Sequence, residues 1–335
     1  MEEENKKVIA VTMATSRQGI SVVKALSKSN FFKIRALTRN KYSEKAKQLL
    51  KLPNVEVVHG DLVDKKSLID AFRDSHGIFG NTTPTRTWGM DLDYERLQGK
   101  NLIGAVEEVA EENKLKHFIF SSICKAKVPS KLSLTPGHFL TKWEIEEEII
   151  RKGLKSITTV ISPVSYFENF YSSIPGITIN SNILPGIVSP STKWQTVAVN
   201  DIGPWTLAIF KNQNTFQGKT LDIVGEELSG KEMACILDKV KGLKASSIKY
   251  QKLPRIILKF IENDIAIMAN WIERYGYGAD MLQTKELAKT HGVNITSLEG
   301  WLQKIYPIKK ASKYIDYLNG PKEEEEEVTI NADSI

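Results

Sequence analysis

The sequence lacks the features of a secreted, metal-binding or membrane-spanning protein. Its 335 residues include two cysteines, Cys124 and Cys235, which excludes a disulfide framework or a cysteine-rich zinc site and is typical of a reduced compartment. We predict no metal site. No run of 18 apolar residues is present, so we expect no membrane-spanning helix. The N-terminal MEEENKK has no apolar core of a signal peptide. We therefore predict a cytoplasmic location, with the nucleus as a second compartment.

Positive charge is in excess, but it is not concentrated in one segment of the chain. The formal net charge is +6, although five consecutive glutamates, Glu323–Glu327, stand near the C-terminus. The lysines are scattered, and no zinc-finger or helix-turn-helix signature is present, so we do not expect direct nucleic-acid binding. We predict that residues 319–335 form a disordered acidic tail.

Strand-like and helix-like segments alternate through the first 160 residues. Between apolar helical stripes stand six short strand-like runs, which are Val8–Val11, Lys33–Thr38, Val55–Val58, Gly77–Asn81, His117–Ser122 and Ser156–Pro163. This alternation predicts an α/β fold, a Rossmann-type doubly wound parallel sheet with helices on both faces. Ligands of such sheets bind at the carboxyl ends of the strands.

The pattern changes after Phe167, where proline and glycine interrupt the chain before helical stretches resume. We predict a nucleotide-binding domain over residues 1–165. A smaller mixed α/β domain for substrate or partner follows over residues 166–318, with some chain returning to the sheet. Near its end, Thr296 and Glu299 match the S/T-x-x-E capping box and predict a helix that begins at Thr296.

The loop after the first strand is poor in glycine. A dinucleotide loop of spacing G-x-x-G-x-x-G needs glycines for a tight turn, for approach of the pyrophosphate and for helix packing. This chain has Met13, Ser16 and Gly19 at those positions. The helix N-terminus still favours an anion, and Thr15, Ser16 and Arg17 offer hydroxyls and a charge. Met13 stands where a phosphate would approach, so a degenerate loop on a retained fold is the alternative.

The second strand ends in arginine rather than in an acidic residue. Arg39 follows Gly19 by 20 residues, where a carboxylate would bind the ribose 2′-hydroxyl of NAD. An arginine there suits the 2′-phosphate of NADP, and Lys41 adds charge. The alternative is a surface arginine after an edge strand. Further candidate cofactor-binding residues end the third and fourth strands: Asp61, Leu62, Asn81, Thr82 and Thr83.

The Tyr-x-x-x-Lys motif of short-chain dehydrogenases is missing from its usual place after the fifth strand. The one such spacing, Tyr306–Lys310, contains a proline near the C-terminus, and we interpret it as coincidence. Lys142 stands at the expected place and is a candidate catalytic residue if burial lowers its pKa. His138, four residues earlier, is a second candidate. The alternatives are a solvated lysine on a charged helix and a histidine that packs against the cleft.

Several motifs together resemble the NmrA-like family of atypical short-chain dehydrogenase-fold proteins, over roughly residues 6–305. The loop MATSRQGISV keeps Thr15, Gln18 and Gly19 of the family's G-x-T-G-x-Q-G, and LTRN follows the second strand. GHFLTKWEIEEEI resembles the family's H-F-x-x-K-x-x-[IV]-E segment, and SPVSYFENF its P-x-x-Y-F-E-N segment. VAVNDIGP matches V-x-D-[IL]-G.

This resemblance implies a two-domain, NADP(H)-binding protein. It assigns Arg39 to the 2′-phosphate and Lys142 to the surroundings of the nicotinamide ribose. It makes Tyr166, Phe167, Glu168 and Asn169 a wall of the cofactor cleft. Met13 and Ser16 depart from the family's loop and bear on affinity and cofactor preference.

Three functions follow as hypotheses. In the leading one, the chain is an NADP(H)-binding redox sensor that regulates a protein partner, because the phosphate-binding arginine is present and the catalytic tyrosine is not. The alternative is an NADPH-dependent reductase of a small carbonyl, quinone or enone that uses Lys142. The second alternative is a cofactor-free interaction module in which Met13 fills the phosphate site. A homodimer is compatible with each of them.

Overall fold

The computed structural model describes residues 6–85, 89–112, 115–123, 135–169 and 182–306. Cys124, Lys310 and the acidic segment 319–335 of the sequence predictions lie outside these ranges. Cys235 lies inside them and is exposed.

A parallel sheet forms the centre of the described structure. Seven strands of the described residues pair in the order β10-β6-β5-β4-β1-β2-β3, all parallel. These strands are β1 (Lys7–Val11), β2 (Phe32–Thr38), β3 (Val55–His59), β4 (Gly77–Asn81), β5 (His117–Ser121), β6 (Thr158–Pro163) and β10 (Thr220–Ile223). Every residue of β4 and β5 is buried, because helices cover both faces of a parallel sheet and make its central strands continuously apolar. The predicted Rossmann-type sheet is confirmed.

Helices cover both faces of this sheet. In the first half of the chain they are α1 (Arg17–Ser29), α2 (Glu44–Leu50), α3 (Lys65–Phe72), α4 (Leu92–Glu111) and α5 (Gly137–Arg151). The apolar residues of α3 and α4 share one cluster with Ile78 and Phe118 of the sheet. On the other face, α1 packs in a second cluster with helices from later in the chain.

The second half of the chain combines small sheets with short helices. Its strands are β7 (Ser165–Tyr166), β8 (Ile183–Gly186), β9 (Lys193–Val197), β11 (Glu226–Ser229) and β12 (Lys249–Lys252). Its helices are α6 (Ile202–Lys211), α7 (Gln213–Phe216), α8 (Gly230–Lys241), α9 (Arg255–Ile261), α10 (Asn263–Tyr275), α11 (Met281–His291) and α12 (Leu298–Ile305). In the described ranges, these strands pair as β11-β9-β7 and β12-β8.

Part of the second half lies directly against the main sheet. β10 extends the sheet beside β6. α6 packs so closely on α1 that a Cβ on Gly203 would lie 2.2 Å from the backbone oxygen of Ser21. The Ser21 hydroxyl accepts from the Gly203 N–H at 3.0 Å and donates to the Asn200 carbonyl at 3.0 Å. The chain after residue 198 therefore completes the layer that begins with α1.

One sequence-based expectation needs correction in this half. The last helix begins one residue later than predicted, because Ser297 caps it by accepting from Gly300 N–H at 3.1 Å. The Thr296 hydroxyl instead donates to the Asp201 carboxylate at 2.6 Å. Between Arg255 and Tyr275, the extended backbone of Glu262 (φ −163°) separates α9 from α10.

Candidate functional site

A cavity of about 250 Å³ lies where β1, β2 and β3 end, beside the first turns of α4. Polar and apolar side chains both line it, as expected for a small-molecule site. Seven of the predicted cofactor-binding residues are in its wall, which are Met13, Thr15, Ser16, Arg39, Asp61, Leu62 and Thr83. The strand ends thus bring these scattered sequence positions together.

Met13 forms the turn between β1 and α1. Its φ of 48° is in the left-handed region, which favours glycine because a side chain there costs about 1 kcal/mol. The Met13 carbonyl accepts from Ser16 N–H at 2.8 Å and closes the turn. The half-buried Met13 side chain packs against the apolar cluster of α3 and α4. Met13 lines the cavity and adds an apolar surface at a position where the family's loop has glycine.

Ser16 and Gly19 begin the helix that follows this turn. The Ser16 hydroxyl accepts from Gly19 N–H at 3.1 Å and is the N-cap of α1. A Cβ on Gly19 would lie 2.1 Å from the Met13 carbonyl oxygen, so the helix approaches the loop as only glycine allows. Both residues direct the N-terminal end of α1, with its favourable field for anions, towards the cavity edge.

Basic side chains gather at the end of β2. Arg39 is exposed in the cavity wall and makes no ion pair with any described residue. Lys45, on α2, has a pKa lowered by burial and by the repulsion of nearby Arg17. Lys41 is exposed and lies outside the cavity wall. Asp61 is a carboxylate in the same wall, so the cavity is basic on its β2 side and acidic on its β3 side.

Lys142 lies almost completely buried at the ends of β4 and β5. Five oxygen atoms of the described residues surround its Nζ. They are Thr82 O at 2.7 Å, Thr82 Oγ1 at 2.8 Å, Asn81 Oδ1 at 3.2 Å, Glu95 Oε1 at 3.2 Å and Ser121 O at 3.4 Å. Burial lowers the pKa of Lys142, and the negative charge of Glu95 opposes that shift. The structure therefore brings together the predicted residues Asn81, Thr82 and Lys142.

Glu95 is a site residue that sequence reasoning missed. It is completely buried on α4, where it accepts from the hydroxyls of Thr82, at 2.9 Å, and of Thr141. In the sequence it stands among the charges of LDYERLQGK, which resemble a solvated helix face. One feature of the sequence indicates that Glu95 is buried. It precedes Leu102 by seven residues, and this spacing places it on the same buried side of α4.

Gln98, one turn further along α4, also went unpredicted. Its side-chain carbonyl accepts from Thr83 N–H at 3.1 Å, and its amide donates to the Thr83 carbonyl at 3.1 Å. This pair of hydrogen bonds fixes the loop that follows β4. Thr83 and Gln98 both line the cavity.

Gln18 connects the start of α1 with the later strands. Its amide donates to the Tyr166 hydroxyl at 2.5 Å, and its carbonyl accepts from the Ser121 hydroxyl at 2.9 Å. Burial, followed by the charge of Glu168, raises the pKa of Tyr166. Tyr166 is therefore neutral and a weak acid at physiological pH.

The other residues of the predicted Tyr166–Asn169 wall do not line the cavity. Phe167 is buried with its ring 5.7 Å from that of Trp301. Glu168 accepts from Val199 N–H at 3.1 Å and from the Trp301 indole N–H at 3.1 Å, and burial raises its pKa. Asn169 is exposed. Tyr166 bonds to Gln18, whereas Phe167 packs in the apolar cluster that both halves of the chain share, and Glu168 bonds to Val199 and Trp301.

His138 and Lys142 are one turn apart on α5 but have different partners. His138 Nδ1 pairs with the Asp264 carboxylate of α10, which also accepts from the N–H groups of Gly137 at 2.6 Å and His138 at 3.2 Å. Burial would raise the pKa of Asp264, but these hydrogen bonds outweigh it and lower the pKa. His138 thus helps to hold the start of α5 against α10.

Ser122 and Tyr306 do not line the cavity. The Ser122 hydroxyl donates to the buried Glu146 carboxylate. Tyr306 lies at the end of α12, far along the chain from β5. Among the described residues, no group of histidine, cysteine and acidic side chains is arranged to hold a metal ion. None of the described helices is long and apolar enough to cross a membrane.

A parallel sheet of this strand order, with a cavity at the carboxyl ends of β1, β2 and β3, defines a protein of the Rossmann class. The comparisons with known proteins narrow this class. The profile of the NmrA-like family matches residues 5–303, and the chain belongs to the NmrA-like family.

Known proteins similar to this chain include regulators and oxidoreductases. An NmrA-like family domain-containing protein of Dictyostelium discoideum is 29% identical over 320 residues, which is 90% of this chain and 98% of that protein. An NmrA-like family domain-containing oxidoreductase of Malbranchea aurantiaca is 31% identical over 180 residues, 50% of this chain and 49% of that protein. The crystal structure of NmrA, a negative transcriptional regulator, in complex with NADP has a TM-score of 0.71 at 19% identity. The structural match covers 94% of this chain and 100% of the NmrA chain.

Proposed function

We propose that this chain binds NADP(H) and acts as a redox sensor that regulates a protein partner. The observation that carries the proposal is Arg39, an exposed guanidinium in the cavity wall at the end of β2, with no ion pair to any described residue. A guanidinium at this strand end is suited to a 2′-phosphate. Arg17 at the start of α1 and Lys45 on α2 are two further positive charges close enough to repel each other.

The residues present fit such a cofactor. The start of α1, with Thr15 and Ser16, is suited to the pyrophosphate. Asp61 and Leu62 face the space expected for the adenosine end, and the ends of β4 and β5 remain for the nicotinamide end. When bound, the cofactor supplies a hydride donor or acceptor. The Met13 side chain forms part of the cavity wall and does not fill the cavity.

The hydrogen bonds and pKa shifts of Lys142 and Tyr166 favour regulation over catalytic turnover. An ammonium has three protons, and five oxygen acceptors among the described residues already surround that of Lys142. Tyr166 accepts from the Gln18 amide, and burial raises the pKa of Tyr166, which makes it a weak proton donor. Neither group is therefore ready to give a proton to a substrate.

A reductase is the second candidate, because burial lowers the pKa of Lys142 at the strand ends. Relatives named as oxidoreductases also support it. Its test is NADPH oxidation over a panel of quinones, aldehydes and enones. The reductase requires turnover that Lys142→Ala removes. No turnover, or equal turnover by the variant, contradicts it.

Calorimetric titration of the full chain with NADPH and NADH tests the proposed cofactor. We expect Arg39→Gln to weaken NADPH binding roughly 10- to 100-fold, the value of a charge-assisted phosphate contact, and to leave NADH binding almost unchanged. Lys33→Gln, on the same strand but outside the cavity, is the matched control and should bind like the unchanged chain. Absence of NADPH binding at millimolar concentration contradicts the proposal.

Hydrogen exchange tests the sensor role separately. The chain saturated with NADPH and the chain saturated with NADP⁺ should differ in amide protection at surfaces away from the cleft. Such a difference is what a partner reads. Identical protection in the two states means that the chain carries no redox signal, even if it binds both forms.

A further inference from the structure

Lysines gather at the edge of the main sheet where its strands begin, opposite the edge that carries the cavity. Lys7 is the first residue of β1, Lys116 immediately precedes β5 and Lys219 immediately precedes β10. Lys155 lies in the short helical turn before β6. These lysines are far apart in the sequence, and the parallel strands in the order β10-β6-β5-β4-β1 bring them into one row.

The ends of two helices add to this row. α1 and α6 run back to the edge where the strands begin, and Lys28 and Lys211 stand in their last turns. A lysine is favourable there because the C-terminal end of a helix attracts positive charge. Lys211 Nζ lies 4.2 Å from the centre of the ring of Phe31, which precedes β2. We name six exposed lysines of the described residues the basic edge: Lys7, Lys28, Lys116, Lys155, Lys211 and Lys219.

The charges of the basic edge are close together and mostly unpaired. Burial lowers the pKa of His76, which precedes β4, and the charges of Lys7 and Lys116 lower it further. Apart from Lys116, these lysines form no ion pair with any described residue. Three exposed acidic residues lie before β4 and at the end of α4, which are Asp74, Glu111 and Glu112. The lysines outnumber them, so the edge keeps an excess of positive charge.

The chain itself carries a run of the opposite charge, the five glutamates Glu323–Glu327, outside the described ranges. Extended, five residues are about 17 Å long, and the starts of the five strands from β10 to β1 span about 19 Å. Glu323 follows Tyr306, the last described residue, by 17 residues. These can span up to about 55 Å, whereas a compact chain of this length has a radius of gyration of about 20 Å. The glutamates can therefore reach the basic edge.

We propose that the basic edge binds the chain's own acidic segment, Glu323–Glu327. Each exposed ion pair is weak and is screened by salt, but attachment to the same chain raises the effective concentration of the segment to roughly millimolar. The bound segment covers the edge and excludes other polyanions from it. This inference goes beyond the proposed function and does not depend on NADP(H) binding.

Carbodiimide cross-linking of the full chain tests the contact, because this reagent joins a carboxylate to an amine only where the two touch. A mixture of ¹⁵N-labelled and unlabelled chains shows by mass spectrometry whether a link lies within one chain. We expect links from Glu323–Glu327 to the basic edge within one chain, at least about five-fold fewer in 0.5 M salt than in 0.05 M salt.

Three cross-linking results overturn the inference. Links mainly to Lys241 and Lys304, beside Tyr306, mean that the segment stays near the end of α12. Links spread equally over all exposed lysines mean that the basic edge is not a specific site. Links between labelled and unlabelled chains mean that the segment binds a second copy.

Binding of a fluorescent decaglutamate peptide tests whether the segment covers the edge. A first variant replaces each of Glu323–Glu327 by glutamine and should bind the peptide roughly five-fold more tightly than the unchanged chain. A second variant adds Lys7→Gln, Lys155→Gln and Lys219→Gln and should lose this gain.

The matched control adds three other substitutions to the first variant: Lys24→Gln, Lys100→Gln and Lys231→Gln. These exposed lysines are in the middle of α1 and α4 and at the start of α8, and the control should keep the gain. Equal binding by the unchanged chain and the first variant, or a gain that survives in the second variant, overturns the inference. Circular dichroism confirms the folding of each variant.

Discussion

Met13 takes a backbone conformation that glycine ordinarily occupies. This conformation determines which of two Met13 variants should be the more stable. In most places Met→Gly is less favourable than Met→Ala, because glycine has more freedom to lose on folding. At a φ of 48° the order should reverse. We expect Met13→Gly to be about 1 kcal/mol more stable than Met13→Ala, as measured by urea denaturation. Equal stability of the two variants means that the position is not left-handed in solution.

The same Met13 variant addresses the cofactor-free hypothesis. If the unchanged chain fails to bind NADPH and Met13→Gly binds it, the side chain fills the phosphate site and the chain is an interaction module. Binding by the unchanged chain excludes that function.

His117 is a buried histidine with one fixed tautomer. The Thr159 hydroxyl donates to the Phe216 carbonyl at 2.8 Å, so it accepts from His117 Nε2 at 2.7 Å. His117 Nδ1 is then the unprotonated nitrogen, and it has no partner within the described part of the chain. Burial, together with the charge of His76, lowers the pKa of His117 to about 4.

This histidine should make the fold sensitive to acid. Because the folded-state pKa lies below the unfolded value of about 6.5, stability is complete above pH 6.5 and declines as the pH falls towards 4. The loss amounts to about 3 kcal/mol. His117→Gln keeps a donor for Thr159 and does not titrate, so its free energy of unfolding should depend less on pH over this window. An identical pH profile for the two proteins contradicts this account.

At the scale of elements, α1 and α6 depend on a glycine where they touch. We expect Gly203→Ala to lower the free energy of unfolding by about 3 kcal/mol or more, because its Cβ would meet the backbone of Ser21. Gly104→Ala on α4 is the control, since its Cβ would meet only the flexible end of Lys65 at 3.2 Å. That variant should be neutral or slightly stabilising. Chemical denaturation distinguishes the two, and equal effects contradict the close contact.

The strands and helices also show how much of the structure can be predicted from the sequence. Apolar runs such as those of β4 and β5 are predictable, because a strand covered on both faces must be apolar throughout. The strand-end residues Arg39 and Thr83 are predictable for a related reason, since parallel strands end at one edge. Glu95 is not, because local sequence does not distinguish a charge that faces solvent from one that faces a buried lysine. Only the packing of α4 against α5 separates them.

At the scale of the whole molecule, the two halves of the chain share one core. A single apolar cluster of described residues includes Ile9, Phe139, Trp205 and Trp301. β10 and α6 also belong to the main sheet and its covering layer. The second half therefore packs on the first through one apolar cluster, and the boundary near residue 165 stays a prediction.

Calorimetric unfolding tests this sharing of one core. We expect a single transition whose calorimetric and van't Hoff enthalpies agree. A fragment of residues 1–165 should fail to fold, because the face of α1 that packs on α6 would be exposed. Two separate transitions, or a stable fragment, show that the halves are independent domains.

The surroundings of Lys142 have a consequence for its chemical reactivity. An amine reacts with acylating agents only when it is unprotonated and accessible. Here the ammonium is paired with Glu95, surrounded by oxygen acceptors of the described residues and only 11% exposed. Lysine acetylation, which readily reaches exposed side chains such as Lys33, is therefore a modification from which the folded chain protects Lys142. The positive charge at the centre of the cleft is preserved under conditions that erase charge from the protein surface.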